Sequence, residues 1–261
     1  MKKPRIDFLS TILPPALVLL AALAALEAYL RLAHVHRYMM PLPSSIGMAL
    51  LNDTDELLTA LGWTALSAVG GFAASAVVGV ALAIVLSASS LIRRAFYPYT
   101  IFFQTVPIVA IAPMLLFWIG SGPFPVAVCA FIVSVFPVIA NTLAGLMSTD
   151  PALVDLFRLY GASPLSAMWK LRLPSALPSI LTGLRIAAGL AVIGTVVAEF
   201  LVGQSMGKVG LGILVVDGIH QAHLDIAFAA VLLASMLGLM IFAAVNTAAW
   251  LSLRRWHASA K

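Results

Sequence analysis

The chain has 261 residues, of which 62% are hydrophobic and only 10% are charged. Soluble domains carry about 25% charged residues, so this composition excludes a soluble globular protein. The single cysteine, Cys129, excludes an internal disulfide framework. The net charge of +5 is compatible with a nucleic-acid partner, but the orientation of a membrane protein explains it better.

Six apolar stretches are long enough to cross a bilayer as helices, which takes about 20 residues each. They cover approximately residues 9–32, 61–87, 99–119, 124–147, 178–202 and 227–252. Each stretch is continuous and long, which favours helices over the shorter, alternating strands of a membrane barrel. The first stretch follows a basic start but lacks a cleavage pattern, so we expect a retained span. The sequence predicts one all-α membrane domain over residues 1–261.

The positive residues predict the orientation of this domain. An even number of spans puts both termini on one side of the membrane, and we assign that side to the cytoplasm. The cytoplasmic side then holds eleven lysines and arginines, namely Lys2, Lys3, Arg5, Arg93, Arg94, Arg158, Lys170, Arg172, Arg254, Arg255 and Lys261. The outer side holds only Arg31, Arg37 and Lys208. This excess has the direction expected of membrane proteins.

Small residues and prolines predict how the spans pack. Gly71, Ser75 and Gly79 are spaced four apart on one face of the second span, which favours close helix packing. Pro107, Pro113 and Pro137 lie within spans, and each leaves a backbone carbonyl unpaired. Neighbouring protein can satisfy such groups and lipid cannot, so these spans are expected inside the bundle.

Residues 148–176, between the fourth and fifth spans, predict a cytoplasmic pair of short helices. Asp150 is a favourable N-cap and Pro151 suits the first helical position. The first helix is expected to run to about Tyr160 and to stop at Gly161.

The second short helix is predicted to begin after Ser163, which serves as its N-cap, with Pro164 at the first position. It is expected to end near Leu173, because Pro174 disfavours helical geometry at the residue before it.

Each short helix carries apolar side chains beside positive charge. These apolar residues are Leu153, Leu156, Phe157 and Tyr160 on the first helix, and Leu165, Met168 and Trp169 on the second. Arg158, Lys170 and Arg172 lie beside them. Such faces fit a groove on a partner protein. They equally fit a helical hairpin lying on anionic lipid.

The same segment resembles the signature of binding-protein-dependent ABC importer permeases. That signature is Glu-Ala-Ala, three residues, Gly, nine residues, Ile, any residue, Leu-Pro. Gly161 matches the glycine, Leu171 takes the isoleucine position, and Leu173 with Pro174 ends the motif. Residues 155–157 take the Glu-Ala-Ala positions with a carboxylate followed by two larger side chains. The resemblance implies an ATPase-coupling loop formed by Asp155, Leu156, Phe157, Arg158, Gly161, Ala162, Ser163, Leu165, Met168, Leu171, Leu173 and Pro174.

The resemblance extends over most of the chain. Its further motifs are Trp63-Thr-Ala-Leu with Gly71-Phe72, residues 106–113, Gly183-Leu-Arg-Ile-Ala with Val197-Ala-Glu199, Gly210-Leu-Gly212 and Arg254-Arg255-Trp256. They are similar to a subfamily that imports nitrate, sulfonates, taurine, thiamine precursors or riboflavin.

What this resemblance implies is a type I ABC importer permease in a bacterial inner membrane. Two permease chains, expected as a homodimer, form the pore. Two separate cytoplasmic subunits bind ATP and magnesium, so this chain needs no cofactor of its own. A periplasmic or lipid-anchored binding protein delivers a small polar or anionic solute. ATP then moves the loop, in which Gly161 supplies the turn and Pro174 fixes the exit into the fifth span.

Glu199 is the most informative polar residue within the spans. A carboxylate at the bilayer centre costs about 2.5–3.5 kcal/mol on insertion scales, so Glu199 is expected to face the bundle or the outer interface. It is either a gate or pathway residue or a structural hydrogen-bonding group. Further pathway candidates are Gln104, Thr105 and Asn141. Glu27 and Arg31 are spaced for a salt bridge along the first span.

Two other functions remain as alternatives. Residues 203–207 match the Gly-x-Ser-x-Gly elbow of serine hydrolases, with Ser205 as nucleophile, although a membrane helix precedes it instead of the required strand. A transporter without an ATPase is the other alternative, and such proteins often contain internal repeats, which we do not find here. Asp217, His220, His223 and Asp225 have no spacing diagnostic of a metal, and no metal site is predicted.

Overall fold

The computed structural model describes residues 8–36, 39–202 and 210–257. These residues form helices joined by short connections and contain no strand. The helices in chain order are α1 (Phe8–Leu32), α2 (Pro43–Asn52), α3 (Thr54–Ala88), α4 (Ser90–Thr105), α5 (Ile108–Ile119), α6 (Pro123–Met147), α7 (Pro151–Leu159), α8 (Pro164–Ala167), a π-helix (Met168–Arg172), α9 (Leu173–Val202), α10 (Leu211–His220) and α11 (Leu224–His257). The all-helical prediction is confirmed for this part of the chain.

Five helical segments of the described residues are long and apolar enough to cross a membrane. They are Leu13–Leu32, Thr54–Ala88, Pro123–Met147, Pro164–Leu201 and Leu224–Leu251. They correspond to five of the six predicted spans, and several extend beyond the predicted ends. The six crossings and the cytoplasmic position of both termini stay predictions.

The predicted third span is not one helix. The chain forms α4 and α5, and the helix is interrupted at Val106 and Pro107. Pro107 has no N–H to continue the helix and disfavours helical geometry at Val106. Its ψ of 113° is extended, and a new helix begins at the next residue. The prediction of a continuous helix over residues 99–119 was therefore wrong at this point.

Helix α6 lies at the centre of the bundle between α3 and α9. A Cβ atom added to Gly71 of α3 would lie 2.5 Å from the carbonyl oxygen of Ala127 on α6. A Cβ on Gly183 of α9 would lie 2.9 Å from the carbonyl oxygen of Pro137. The backbones are thus close enough to require glycine. The prediction that Gly71 and its small neighbours mediate packing is confirmed.

Helix α1 lies at the edge of the bundle and is joined to α2 by one carboxylate. Glu27 forms the predicted salt bridge with Arg31 and also accepts the backbone N–H of Ser44 at 3.1 Å. The N–H of Ser44 is one of the free donors at the start of α2. Glu27 therefore caps a helix that the sequence analysis did not predict.

Helix α8 continues into α9 without a break, which corrects the predicted end near Leu173. The π-helix joins them, and the N–H of Leu173 donates to the carbonyl of Met168, five residues back. This wide turn accommodates Pro174, whose ring clashes with the carbonyl four residues back in a regular α-helix. Leu173 keeps α-helical angles despite the following proline. Residues 164–201 are consequently one apolar helical segment.

Candidate functional site

The first short helix of the predicted coupling loop is fixed by its own sequence. The carboxylate of Asp150 accepts the N–H of Ala152 at 2.9 Å, and Pro151 occupies the first helical position. Asp155 and Arg158 form an exposed ion pair at 3.3 Å, a kind of pair that contributes little to stability. The predicted start of this helix is confirmed. We call residues 150–172 the coupling hairpin.

Gly161 forms the turn of the coupling hairpin, as predicted. Its φ of +70° lies in the left-handed region, which side chains with a Cβ rarely adopt. The backbone N–H of Gly161 donates to the carbonyl oxygen of Arg158, and the N–H of Ala162 donates to the carbonyl oxygen of Phe157, both at 3.0 Å. This pair of bonds is the Schellman motif that ends many helices. Ser163 then caps α8 by accepting the N–H of Ser166 at 3.2 Å.

One face of the coupling hairpin exposes large apolar side chains. Leu156 is 45% exposed, Tyr160 83% and Leu165 68%. Trp169, which follows α8, is also exposed. Neither α7 nor α8 buries any residue. This face has apolar area for a partner that the described chain does not supply.

Leu153 of the predicted apolar face is also exposed, whereas Phe157 and Met168 turn toward the bundle. Met168 is buried among Leu146, Ala176 and Ile180, and Leu171 is also buried. Phe157 is half-buried and lines a cavity of about 500 Å³ between the hairpin and the end of α3. Leu165 and Met168 both line this cavity, as their predicted grouping requires, but Leu165 is exposed whereas Met168 is buried. Met168 connects the hairpin to the core.

Glu199 lies at the other end of α9, where it is buried with 3% of its surface exposed. The hydroxyl of Thr64 on α3 donates to the carboxylate, at 2.9 Å from each oxygen. The N–H of Gly212 donates to the same carboxylate at 2.9 Å, and the N–H of Leu211 donates to the Thr64 hydroxyl at 2.9 Å. We call these four residues the carboxylate clamp. They join α3, α9 and α10.

Two glycines allow α10 to approach the carboxylate clamp. A Cβ on Gly212 would lie 2.6 Å from the carbonyl oxygen of Val196 and 2.7 Å from Cβ of Glu199. A Cβ on Gly210 would overlap the Glu199 carboxylate. The first N–H groups of a helix carry partial positive charge, so the Glu199 carboxylate occupies a favourable position. The spacing Gly210-Leu-Gly212 was the sequence signal for this contact, but it did not identify Glu199 as the partner.

A small cavity lies beside the Glu199 carboxylate. Its volume is about 20 Å³, which is large enough for one water molecule. Its walls are formed by Trp63, Ser67, Pro123, Val126, Gly210 and Ile213. The cavity borders Ser67 and Glu199, so polar groups are available to a water there. The polar groups of the carboxylate clamp and Ser67 are therefore surrounded mainly by apolar side chains.

The other predicted pathway residues are not gathered around Glu199. Gln104 and Thr105 are exposed at the end of α4, and Thr105 donates to the carbonyl of Phe102 at 2.8 Å. Asn141 donates to the carbonyl of Pro137 on its own helix at 2.9 Å. Their role in transport stays a prediction.

The remaining candidate sites have little geometric support. In the described ranges, no three or more His, Cys, Asp or Glu side chains come together as metal ligands. Asp217 and His220 lie on α10, which packs into the bundle through its apolar residues, and His220 and His223 are exposed. Ser205 and its glycines lie outside the described residues.

The long apolar helices define the chain as a multi-pass integral membrane protein with an exposed helical hairpin at one end. Residues 75–255 match the family described as the binding-protein-dependent transport system inner membrane component. The chain belongs to this family, whose members are permease subunits of ABC transporters. The predicted resemblance is confirmed at the level of the family.

Several curated relatives have the same character. A Haemophilus influenzae chain named "Probable ABC transporter permease protein" is 32% identical over 90% of this chain and 94% of its own length. The formylaminopyrimidine transport permease protein ThiX of Halalkalibacterium halodurans is 33% identical over 80% of this chain and 82% of its own. The taurine transport system permease protein TauC of Escherichia coli is 27% identical over 61% of this chain and 57% of its own.

Proposed function

We propose that this chain is the translocating subunit of an ATP-driven importer in a bacterial inner membrane. Two copies form the pore by six crossings each, with both termini in the cytoplasm. Two separate ATPase subunits bind the coupling hairpins, and a binding protein delivers the solute from outside. The chain itself binds neither ATP nor magnesium and performs no chemistry.

The observation that carries the proposal is the exposed apolar face of the coupling hairpin. Leu156, Leu165 and Trp169 are exposed on the two short helices and the π-helix of this hairpin, whose turn is closed by local hydrogen bonds. Short helices without any buried residue are seldom stable in water by themselves. A partner that covers this face would stabilise the short helices, and the locally capped turn would hold the face in a defined position for binding. The helix-in-groove mode suits such a contact.

The connection to the membrane supports a mechanical role for the coupling hairpin. The π-helix makes α8 continuous with α9, and Met168 packs against α6 and α9. A displacement of α8 therefore acts directly on a membrane span. We propose that ATP binding in the partner moves α8 and that α9 then rotates or tilts against α3 and α6.

We also propose that the carboxylate clamp is the outer gate. It joins α3, α9 and α10 by hydrogen bonds, so any separation of α9 from α3 at this end has to break the bond between Thr64 and Glu199. Glu199→Gln keeps the shape and removes the charge. We expect it to reduce uptake more than the yield of assembled complex. Equal uptake at equal yield would exclude the gating role.

The names of relatives support a small solute. One relative is named for formylaminopyrimidine and another for taurine. We propose a small polar or anionic solute for this chain. A serine hydrolase is not favoured, because α9 precedes Ser205 up to Val202 as a helix, whereas the elbow needs a strand.

Cysteine cross-linking tests the proposed contact with the ATPase. The sole native cysteine, Cys129, is buried, so an introduced cysteine is the only accessible one in this chain. We expect Leu156→Cys to cross-link to the co-expressed ATPase subunit. Val154→Cys is the matched control, because Val154 lies on the same helix but lines the cavity toward α3. Equal cross-linking of the two variants, or none from Leu156→Cys, would contradict the proposal.

A further inference from the structure

The cavity between α4 and α6 combines positive charge with an apolar wall. Its volume is about 430 Å³. Arg93, Arg94 and Tyr97 of α4 form one side. The other side is formed by α6 residues, namely Ala140, Leu143, Ala144 and Met147. A molecule that fills this cavity meets two guanidinium groups at one wall and hydrocarbon at the other.

The two arginines of this cavity have no carboxylate partner among the described residues. Among the residues that the structure describes, the ion pairs join Arg31 with Glu27 and Arg158 with Asp155. No acidic side chain lines the cavity. Arg93 is half-buried and Arg94 is exposed, so both guanidinium groups are open to an anion that enters the cavity. The cavity therefore has an anion-binding wall without an internal anion.

The first half of α4, before the predicted third span begins at residue 99, has the composition of a helix at a membrane surface. Ile92 and Tyr97 pack against the core formed by α3 and α6, which fixes α4 to the bundle. Phe96 and Tyr99 are exposed on the outside of the same helix. Exposed aromatic residues beside arginines are typical of helices at the boundary between headgroups and acyl chains.

The cavity lies at the same end of the bundle as the coupling hairpin. Met147, which lines it, is the last residue of α6, and the hairpin begins three residues later. In the proposed orientation this end faces the cytoplasmic leaflet, which carries anionic lipids. Basic pockets between membrane helices on that side bind anionic headgroups.

We propose that this cavity binds one anionic phospholipid. The phosphate lies against Arg93 and Arg94, where the Tyr97 hydroxyl can also donate, and an acyl chain follows Leu143 and Met147. The site goes beyond the proposed transport function and shares with it only the orientation of the bundle.

Lipid retention by the full chain tests this proposal. The chain is released from nanodiscs of equal phosphatidylglycerol and phosphatidylethanolamine, and bound lipids are counted by native mass spectrometry. Each arginine near the surface favours an anionic lipid by about fivefold, so we expect about a thirtyfold preference for phosphatidylglycerol in the wild type. Arg93→Gln with Arg94→Gln is expected to abolish most of it, and Arg93→Lys with Arg94→Lys is expected to keep most of it.

Lys170→Gln with Arg172→Gln is the matched control, because it removes two charges at the same end of the bundle but outside the cavity. We expect it to retain the wild-type preference for phosphatidylglycerol.

Three outcomes would overturn the proposed site. The first is a preference that survives in the glutamine variant of Arg93 and Arg94, or that falls equally in the control. Displacement of the lipid by millimolar inorganic phosphate alone would indicate a free-anion site instead. Complete loss of the lipid when the ATPase is added would show that a protein partner covers the cavity. The assay contains neither ATP nor solute, so its failure is distinct from failure of the proposed function.

Discussion

The carboxylate clamp and the coupling hairpin lie toward opposite ends of α9, about 39 Å apart along the helix, and they differ in what holds them in place. In the clamp, Thr64 and Glu199 are buried, lie 135 residues apart in sequence, and are bonded to each other and to α10. In the hairpin, α7 and α8 bury nothing and rely on local caps. The clamp is complete within one chain, whereas the hairpin offers an uncovered apolar face.

This difference separates folding from coupling. Because the clamp joins three helices, changes there are expected to lower the stability of the isolated chain. Changes on the exposed face of the hairpin are expected to leave that stability intact and to weaken the contact with the ATPase. The predictions below test whether the two regions behave in these two ways.

The largest effect on stability is expected at Gly212. Gly212→Ala places a Cβ 2.6 Å from a backbone oxygen of α9, which forces α10 away from the clamp. We expect the free energy of unfolding to fall by about 3 kcal/mol, as in overpacked cores. Gly62→Ala is the matched control, since that helical glycine has open space around its missing Cβ. Equal thermal unfolding midpoints for the two purified variants would contradict the claim that the clamp stabilises the isolated chain.

A smaller loss is expected at Thr64. Thr64→Val keeps the shape but removes the donor to Glu199 and leaves the N–H of Leu211 without its acceptor. The expected loss in the free energy of unfolding is about 2 kcal/mol, the cost of an unpaired buried group. Thr142→Val is the matched control, because the buried Thr142 hydroxyl has no hydrogen-bond partner. If both variants lose the same free energy of unfolding in denaturant titrations, the hydrogen bonds of the clamp make no particular contribution to stability.

Gly161→Val is expected to act on coupling. Gly161 has a φ of +70°, and a residue with a Cβ loses about 1–2 kcal/mol in this left-handed conformation. The turn of the valine variant therefore shifts to another geometry. We expect solute uptake per ATP hydrolysed to fall about tenfold in proteoliposomes, the ratio that corresponds to such an energy. Gly161→Asn is the control, since asparagine tolerates this conformation better. Unchanged coupling in the valine variant would argue against the hairpin as the coupling element.

The smallest effect on stability is expected at Leu156. Leu156→Ala removes an exposed side chain, so the free energy of unfolding should change by no more than about 0.5 kcal/mol. The affinity for the ATPase is expected to fall about tenfold, as for an apolar residue central to an interface. Leu17→Ala on the exposed surface of α1 is expected to change neither quantity. An affinity unaffected by Leu156→Ala would place the contact elsewhere.

Local features of the coupling hairpin were predictable from the sequence. Asp150, Gly161 and Ser163 act on residues two to five positions away, so their identity and spacing are sufficient to predict the caps and the turn. The same holds for the small residues on α3, because helical periodicity alone places them on one face. The path through Pro174 was not predictable, because a π-turn and the packing of Met168 in the core override the local preference of the residue before proline.

The carboxylate clamp could be predicted only in part. Glu199 stood out as a carboxylate in an apolar stretch, but Thr64 is 135 residues away, and nothing local relates the two. Helix α10 was missed because its ten residues are too short for a span and follow a glycine-rich stretch. Likewise, the interruption at Pro107 needed the structure, since prolines occur both within and between membrane helices.

The sidedness of the coupling hairpin tests the account most directly. Leu165→Cys is labelled with a membrane-impermeant maleimide in right-side-out and in inverted vesicles, with and without the ATPase subunit. We predict labelling only in inverted vesicles, and its suppression when the ATPase is assembled. Labelling in right-side-out vesicles, or labelling that the ATPase leaves unchanged, would contradict the account.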